Sequence, residues 1–579
     1  MQGFASGFAP DRAPAPAVVV RRRPPGACDH VQLSIPAAAL GSRTSGGGVC
    51  MSLVEVLVGL VATCVVLAFA ARYARVPPAV ALVLGGMALA FIPAMPRVEL
   101  DPHIALALFL PPLLQASALR TDWAAFRAAL SSILLLAVGA VLFTAAFVGT
   151  VVKLLEPGLP WGACIALGAI VAPPDAVAAT AVLKTTRIPR RLVTLLEGES
   201  LLNDASSLIL YRFAVAATVA GSVSFSEAAT SFALSSIGGT AIGYAIGRAV
   251  VAATRALDDT LLEIAAIVLA GFASYFAAEV FHLSGVLAAV ACGLVIGRHQ
   301  HEALSARTRV ESAAVWNFVE FTLTGLVFIL IGLQLRDVAE RLDRYGALDL
   351  LGLAAATSVA LIASRFVWVF ATAGATRALS SRLGLGGETL PASHLAVVSW
   401  AGMRGVVSLA AALALPFDFP GRDLIVFLAF CAILVTLVLQ GTTLGWLIRR
   451  LGVMEAPAED AAAQEAAARR AAAEAALHAV EGRLYRGRTL GMPDAIMLRE
   501  FRRRAEDARQ VERGHGLAAR RTRARLELEL EAVQAARRAV LDRAPMLDGE
   551  LLQAIEEEFD FEEGRLRRAL GEAENAAHG

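Results

Sequence analysis

The chain has 579 residues, of which 57% are hydrophobic and only 18% charged, and its mean hydropathy is +0.62. That balance excludes an ordinary soluble protein of this length: apolar runs of about 20 residues, enough to cross a bilayer, recur from Leu53 to Gly445. The net charge of +1 gives no electrostatic case for a nucleic acid or any other strongly charged partner.

The first 50 residues differ from the rest. VVVRRRPPGACDH and GSRTSGGGVC are rich in Arg, Pro, Gly and Ala and carry no apolar core of signal-peptide type. Gly46, Gly47 and Gly48 are encoded by GGN codons just upstream of the Met51 codon, where a purine-rich ribosome site would lie. Residues 1–50 are therefore expected to be a non-native or disordered extension, with the natural start at Met51. Native protein sequenced from Met1 would refute this.

From Leu53 onward about 13 segments have helix-spanning length. They lie near 53–71, 77–95, 103–119, 129–152, 161–183, 198–220, 232–253, 261–280, 284–297, 315–335, 349–373, 393–415 and 423–447. The fold class is an all-α polytopic membrane protein. Its basic loops ARYAR, LRTDWAAFR, KTTRIPRR, GRAVVAATR, GRHQHEALSARTR, TRALSSR and IRR fall at alternate ends. The positive-inside rule makes that side cytoplasmic, with the N-terminus outside and the C-terminus inside. Cys64, Cys164, Cys292 and Cys431 lie in apolar segments, and Cys28 and Cys50 in the leader. Their spacing gives neither a disulfide framework nor a zinc site.

The fifth segment reads GAIVAPPDAVAATAV. Pro173 and Pro174 both lack an N–H and clash with the preceding turn, so the helix is expected to break there, with Asp175 following at once. Unpaired backbone groups at membrane depth are tolerated only where they are buried or line a cavity, and interrupted spans of this kind mark transporter binding sites.

The sixth segment carries EGESLLNDASSL. Glu199 with Asn203, and Ser200 with Asp204, are i,i+4 pairs, and Ser207 and Tyr211 continue the polar stripe. Asp204 lies about 21 Å along a continuous helix from Arg190, near mid-membrane. Ionisable groups at that depth are costly and usually face a bundle interior or a water-filled cavity. A carboxylate withdrawn from water holds a proton or a metal cation, not comfortably both, and that competition is the physical basis of exchange. Pairing of Glu199 and Asp204 with arginines for helix packing is the plain alternative.

In the twelfth segment, WAGMRGVVSLAAALALP, Gly402 and Gly405 weaken the helix around Arg404. The fifth and twelfth segments run in opposite directions, which suggests inverted repeats. Arg404 stays charged and is expected to find an anion, Glu199 or Glu320, mainly as a structural counter-ion. Glu320 is expected to stabilise packing or pair with an arginine, Arg365 and Arg212 to snorkel or pair locally, and His299 and His301 to lie inert in a cytoplasmic loop. After about Ala456 the composition turns to Ala, Glu and Arg in three helix-forming runs, a cytosolic helical tail.

These three motifs, in this order, resemble the bacterial sodium/proton antiporters of the first monovalent cation:proton antiporter family, over about residues 51–450. The resemblance implies a homodimer with a dimerisation domain and a six-helix core, in which the fifth and twelfth helices are broken and cross at the ion site. It implies that Asp204 is the main proton- and cation-binding carboxylate. Asp175, Glu199 and Ser200 match further ion-site positions, with Na+ at Asp204, Asp175 and Glu199. Asn203 organises the site, and Arg404 matches the arginine of the twelfth helix. One departure stands out: Pro174 replaces the threonine common before the broken-helix aspartate, which leaves only its carbonyl to take part. The Asn–Asp pair resembles electroneutral members.

The expected function is sodium or lithium exchange for protons across a bacterial inner membrane by alternating access, without a cofactor. The expected domains are 51–450 for transport and 456–579 for the tail. Potassium is the alternative cation, and a channel the more distant one, set back by the interrupted helices. An enzyme finds no support, since H-E-x-x-H and G-x-x-x-x-G-K-[ST] do not occur.

Overall fold

The computed structural model describes residues 53–74, 76–92, 102–175, 179, 183, 186, 188–220, 225–257, 259–334, 346–383, 390–454, 459–484, 492–512, 516–542 and 549–577. The leader expectation falls outside them. All regular structure among the described residues is helical.

The helices fall on the apolar segments, with ends that differ by up to about a dozen residues. They are α1 (Leu53–Ala74), α2 (Pro78–Ala90), α3 (Pro102–Arg120), α4 (Trp123–Leu155), α5 (Trp161–Val171), α6 (Arg190–Ala220), α7 (Phe225–Thr254), α8 (Thr260–Val280), α9 (Gly285–Ala303), α10 (Ala306–Leu333) and α11 (Ala347–Leu383). The twelfth segment divides into α12 (Ala392–Trp400) and α13 (Val406–Leu413), and α14 spans Arg422–Arg450. Seven of these helices, among the described residues, are long and apolar enough to cross a membrane; α2, α5 and the Leu106–Arg120 part of α3 are shorter and apolar. The chain is a polytopic helical membrane protein.

Local chemistry fixes the ends. The Asp122 carboxylate accepts from the N–H groups of Ala124 and Ala125 at the start of α4, and Asp259 does the same for Leu261 and Leu262 at the start of α8. Ser284 and Ser305 cap α9 and α10. Two wide turns of π type, Leu135–Ala140 in α4 and Thr436–Gln440 in α14, carry no proline and were not foreseen from the apolar pattern.

Small residues let the helices approach closely, as membrane interfaces require. A methyl at Gly168 would strike the backbone of Ala145, and one at Gly332 would strike the backbone of α2. A core of α4, α5, α11, α13 and α14 closes around Val148, Leu167, Ala412, Ile425 and Leu428, all fully buried. Large apolar side chains point outward elsewhere, among them Phe69, Leu261 and Leu348, as suits helices facing hydrocarbon.

Four further helices follow: α15 (Glu459–Leu484), α16 (Met492–Glu512), α17 (Gly516–Leu541) and α18 (Gly549–Ala577). Ion pairs stitch α15 to α16 (Arg502–Glu481, 3.0 Å; Arg509–Glu474, 2.7 Å) and α17 to α18 (Arg537–Asp560, 2.9 Å). The sequence led to three helical runs here; α16, with its dense arginines, was missed.

Candidate functional site

The double proline sets the geometry. In an α-helix each carbonyl accepts from the N–H four residues on. Prolines at 173 and 174 deprive the carbonyls of Ala169 and Ile170 of those donors, and α5 stops at Val171. Ala169 O accepts instead from the buried Ser207 hydroxyl of α6, at 2.8 Å. The Asp175 N–H turns away from Val171 and donates to the carbonyl of Met403, at 2.7 Å. Val171 O then accepts from Arg404 Nε at 2.6 Å, and Pro174 O from Asn203 Nδ2 at 2.8 Å. The interruption after α5 and the interruption between α12 and α13 thus supply each other's missing partners.

The second break is satisfied in the same manner. Arg404 also donates to Gly402 O, and its backbone N–H donates to the Thr436 hydroxyl in the π turn of α14, at 3.1 Å. Arg365 of α11 donates through Nε to Val398 O at 3.2 Å, covering the end of α12. Gly405 is needed at its place because a methyl there would run into the Asp175 carboxylate.

The arginine pairings differ from expectation. Arg404 does not pair with Glu199 or Glu320; its side chain satisfies carbonyls exposed by the two breaks. Glu199 is held by Arg365 in a two-pronged pair of 2.6 and 2.8 Å, with both side chains buried. Both its oxygens are thereby engaged by the guanidinium. Arg365 neither snorkels nor pairs locally, and Arg212 reaches across to Glu279 at 3.1 Å. Among the described residues no group of three His, Cys, Asp or Glu side chains stands close enough to hold a metal ion.

What is assembled is a cavity of about 200 Å³ whose lining includes Asp204, Asp175, Ser200, Glu197 and Ser408. Asp204 is buried, and among the described residues its carboxylate makes no hydrogen bond or ion pair. Asn203, Glu199, Pro174 and Arg404 stand behind this wall, whereas Pro173 and Gly405 contribute to it. On another side, Glu320 of α10 meets Arg120 of α3 at 2.6 Å, and both line the cavity. Sequence reading missed Arg120, Glu197, Ser408 and Thr324. Ser408 and Glu197 stand inside the very motifs singled out, where a lone hydroxyl and an extra carboxylate were visible signals. Arg120 and Thr324 become relevant only through helix packing.

An apolar bundle with two mutually capped breaks and a carboxylate-lined cavity is the setting for the comparisons. The profile described as "Sodium/hydrogen exchanger, transmembrane" matches residues 59–450. The chain belongs to this family.

An uncharacterised Na+/H+ exchanger of Mycobacterium tuberculosis is 34% identical over 420 residues, covering 71% of this chain and 76% of that one. The sodium, potassium, lithium and rubidium/H+ antiporter of Bacillus subtilis is 32% identical over 383 residues, covering 63% and 57%. The solved sodium proton antiporter MjNhaP1 from Methanocaldococcus jannaschii shares the fold, with a TM-score of 0.56 at 18% identity, over 69% of this chain and 99% of that one. As a sodium/hydrogen exchanger family member, the chain is a multi-pass membrane cation/proton antiporter.

Proposed function

We propose that this antiporter moves sodium or lithium out across a bacterial inner membrane as protons enter, by alternating access. Asp204 is the carboxylate that a proton and the cation occupy in turn, with Asp175 and Ser200 beside it as further oxygen ligands. The observation that carries this reading is the buried Asp204 carboxylate, without a protein partner among the described residues, facing a cavity with Asp175 and Ser200. Carboxylate and hydroxyl oxygens are the hard ligands that small cations take.

The remaining residues act in support. Asn203 fixes the Pro174 carbonyl, Arg404 holds the two breaks together, Glu199 balances Arg365, and Glu320 balances Arg120. Residues 51–450 are the transport domain, built of about 13 spans with inverted repeats and two crossing broken helices. Residues 456–579 are a cytosolic helical tail. The N-terminus lies outside, the C-terminus inside, and two chains form a homodimer. In this scheme the core moves against the dimerisation domain, carrying Asp204 from one side to the other.

Potassium is the second reading. It draws on the Bacillus relatives, whose names include potassium and rubidium alongside sodium and lithium.

The test is cation-induced proton movement in proteoliposomes, with sodium, lithium and potassium compared from mildly acidic to mildly alkaline pH. Wild type is expected to exchange weakly at acid pH, where protons hold the carboxylate, and more strongly as pH rises. Asp204→Asn is expected to abolish exchange at every pH. A mutant as active as wild type would end the Asp204 assignment, and cation flux without proton counterflow would replace the carrier with a channel.

A further inference from the structure

Ser408 stands in the first turn of α13, three residues past Gly405, the position that makes room for the Asp175 carboxylate. It is 1% exposed and shares the cavity wall with Asp204, Asp175 and Ser200. Among the described residues its hydroxyl has no hydrogen-bond partner. Six other buried serines behave differently. Ser206, Ser207, Ser274, Ser358, Ser364 and Ser399 each donate to a backbone carbonyl.

The difference has a local cause. A serine within a helix usually folds its hydroxyl back onto the carbonyl three or four residues earlier. For Ser408 those residues are Gly405 and Arg404, which belong to the non-helical stretch between α12 and α13. The break that organises the site therefore also releases this hydroxyl from the backbone. Thr324 Oγ1, on α10, is a second cavity-lining hydroxyl without a partner among the described residues.

We propose that Ser408 is a ligand of the transported cation and tunes the choice among alkali ions, a role that rests on the exchange reading above. A neutral oxygen beside a carboxylate adds an ion-directed dipole without adding charge. The proton gains little from it, because the carboxylate oxygen binds the proton directly. An alkali cation must replace most of its water shell and gains from every fixed oxygen. The small ions sodium and lithium, with short ligand distances, gain more than potassium from an oxygen carried on a rigid half-helix.

The experiment compares wild type, Ser408→Ala and Ser408→Thr in proteoliposomes, with the same proteins melted in detergent. Losing one oxygen ligand is expected to raise the sodium and lithium KM of Ser408→Ala about five- to tenfold, as for a lost hydrogen-bond-scale contact. The potassium KM is expected to move less, and the maximal rate to stay near wild type. At fixed subsaturating sodium the onset of activity is expected to shift to higher pH, because the proton meets a weaker competitor. Ser408→Thr is expected to restore the sodium KM, and Ser408→Ala to melt no lower than wild type, since it removes an unpartnered hydroxyl. An unchanged sodium KM and unchanged sodium-to-potassium ratio in Ser408→Ala would overturn the proposal, as would a lowered melting temperature with KM intact. A wild type without cation-coupled proton movement would instead overturn the exchange reading, and Ser408's role with it.

Discussion

Glu199 and Asp204 lie five residues apart on α6, both buried, and their carboxylates have opposite surroundings. Glu199 is locked onto Arg365, while Asp204 faces the cavity without such a partner among the described residues. Glu199→Gln leaves a buried guanidinium without its counter-charge and is expected to cost about 3–5 kcal/mol of stability, the usual penalty for breaking a buried pair from one side. Asp204→Asn removes an unpaired charge and is expected to cost nothing comparable. Thermal unfolding of the purified variants in detergent separates the two; equal losses would contradict the division of roles. The carboxylates themselves were plain in the sequence, because ionisable groups in apolar segments stand out. Their pairing was not: Arg365 lies 166 residues from Glu199, and only the tertiary fold decides which acid it neutralises.

At the level of elements, prolines and glycines announced both interruptions. Pro173 and Pro174 remove two donors outright, and Gly402 and Gly405 bracket the stretch where α12 gives way to α13. The π turns in α4 and α14 left no comparable mark, since nothing in LLAVGA or TLVLQ distinguishes a wide turn from an ordinary one. The tail helices bury few apolar side chains, Leu498, Ala505, Leu526 and Leu566 among them, and add charge pairing between neighbours. Glu474 of α15 accepts from Arg509 Nε of α16, and that hydrogen bond holds its carboxyl below the usual carboxylate range. A carboxyl lowered in the folded state stabilises above its unfolded value and loses that contribution as pH falls through the folded one. The α15–α16 pairing is therefore expected to loosen below about pH 4, near and under the ordinary glutamate value. Hydrogen exchange of the full chain, corrected for intrinsic rates, reads this out; Arg509→Gln should remove the pH-dependent part.

For the whole molecule, the all-helical, membrane-spanning character was legible because a bilayer imposes a length on each crossing. The assembly of the cavity from α3, the break after α5, α6, α10 and the start of α13 was not, because it depends on which elements lie side by side. If one cation replaces one proton at Asp204, each half-cycle carries the same net charge. Purified protein on a supported membrane is then expected to give no sustained current at saturating cation; a steady current would require another stoichiometry.

In the proposed cycle, the Asp204 carboxylate, without a hydrogen-bond or ion-pair partner among the described residues, bears on leakage as well. A carrier that turned over empty would drag a bare negative charge through a medium that solvates it poorly, and that step is slow. Loaded with either cargo, the same group is neutral and passes. Tight coupling then needs no latch or sensor, because slippage is suppressed by the electrostatic cost of returning with nothing aboard.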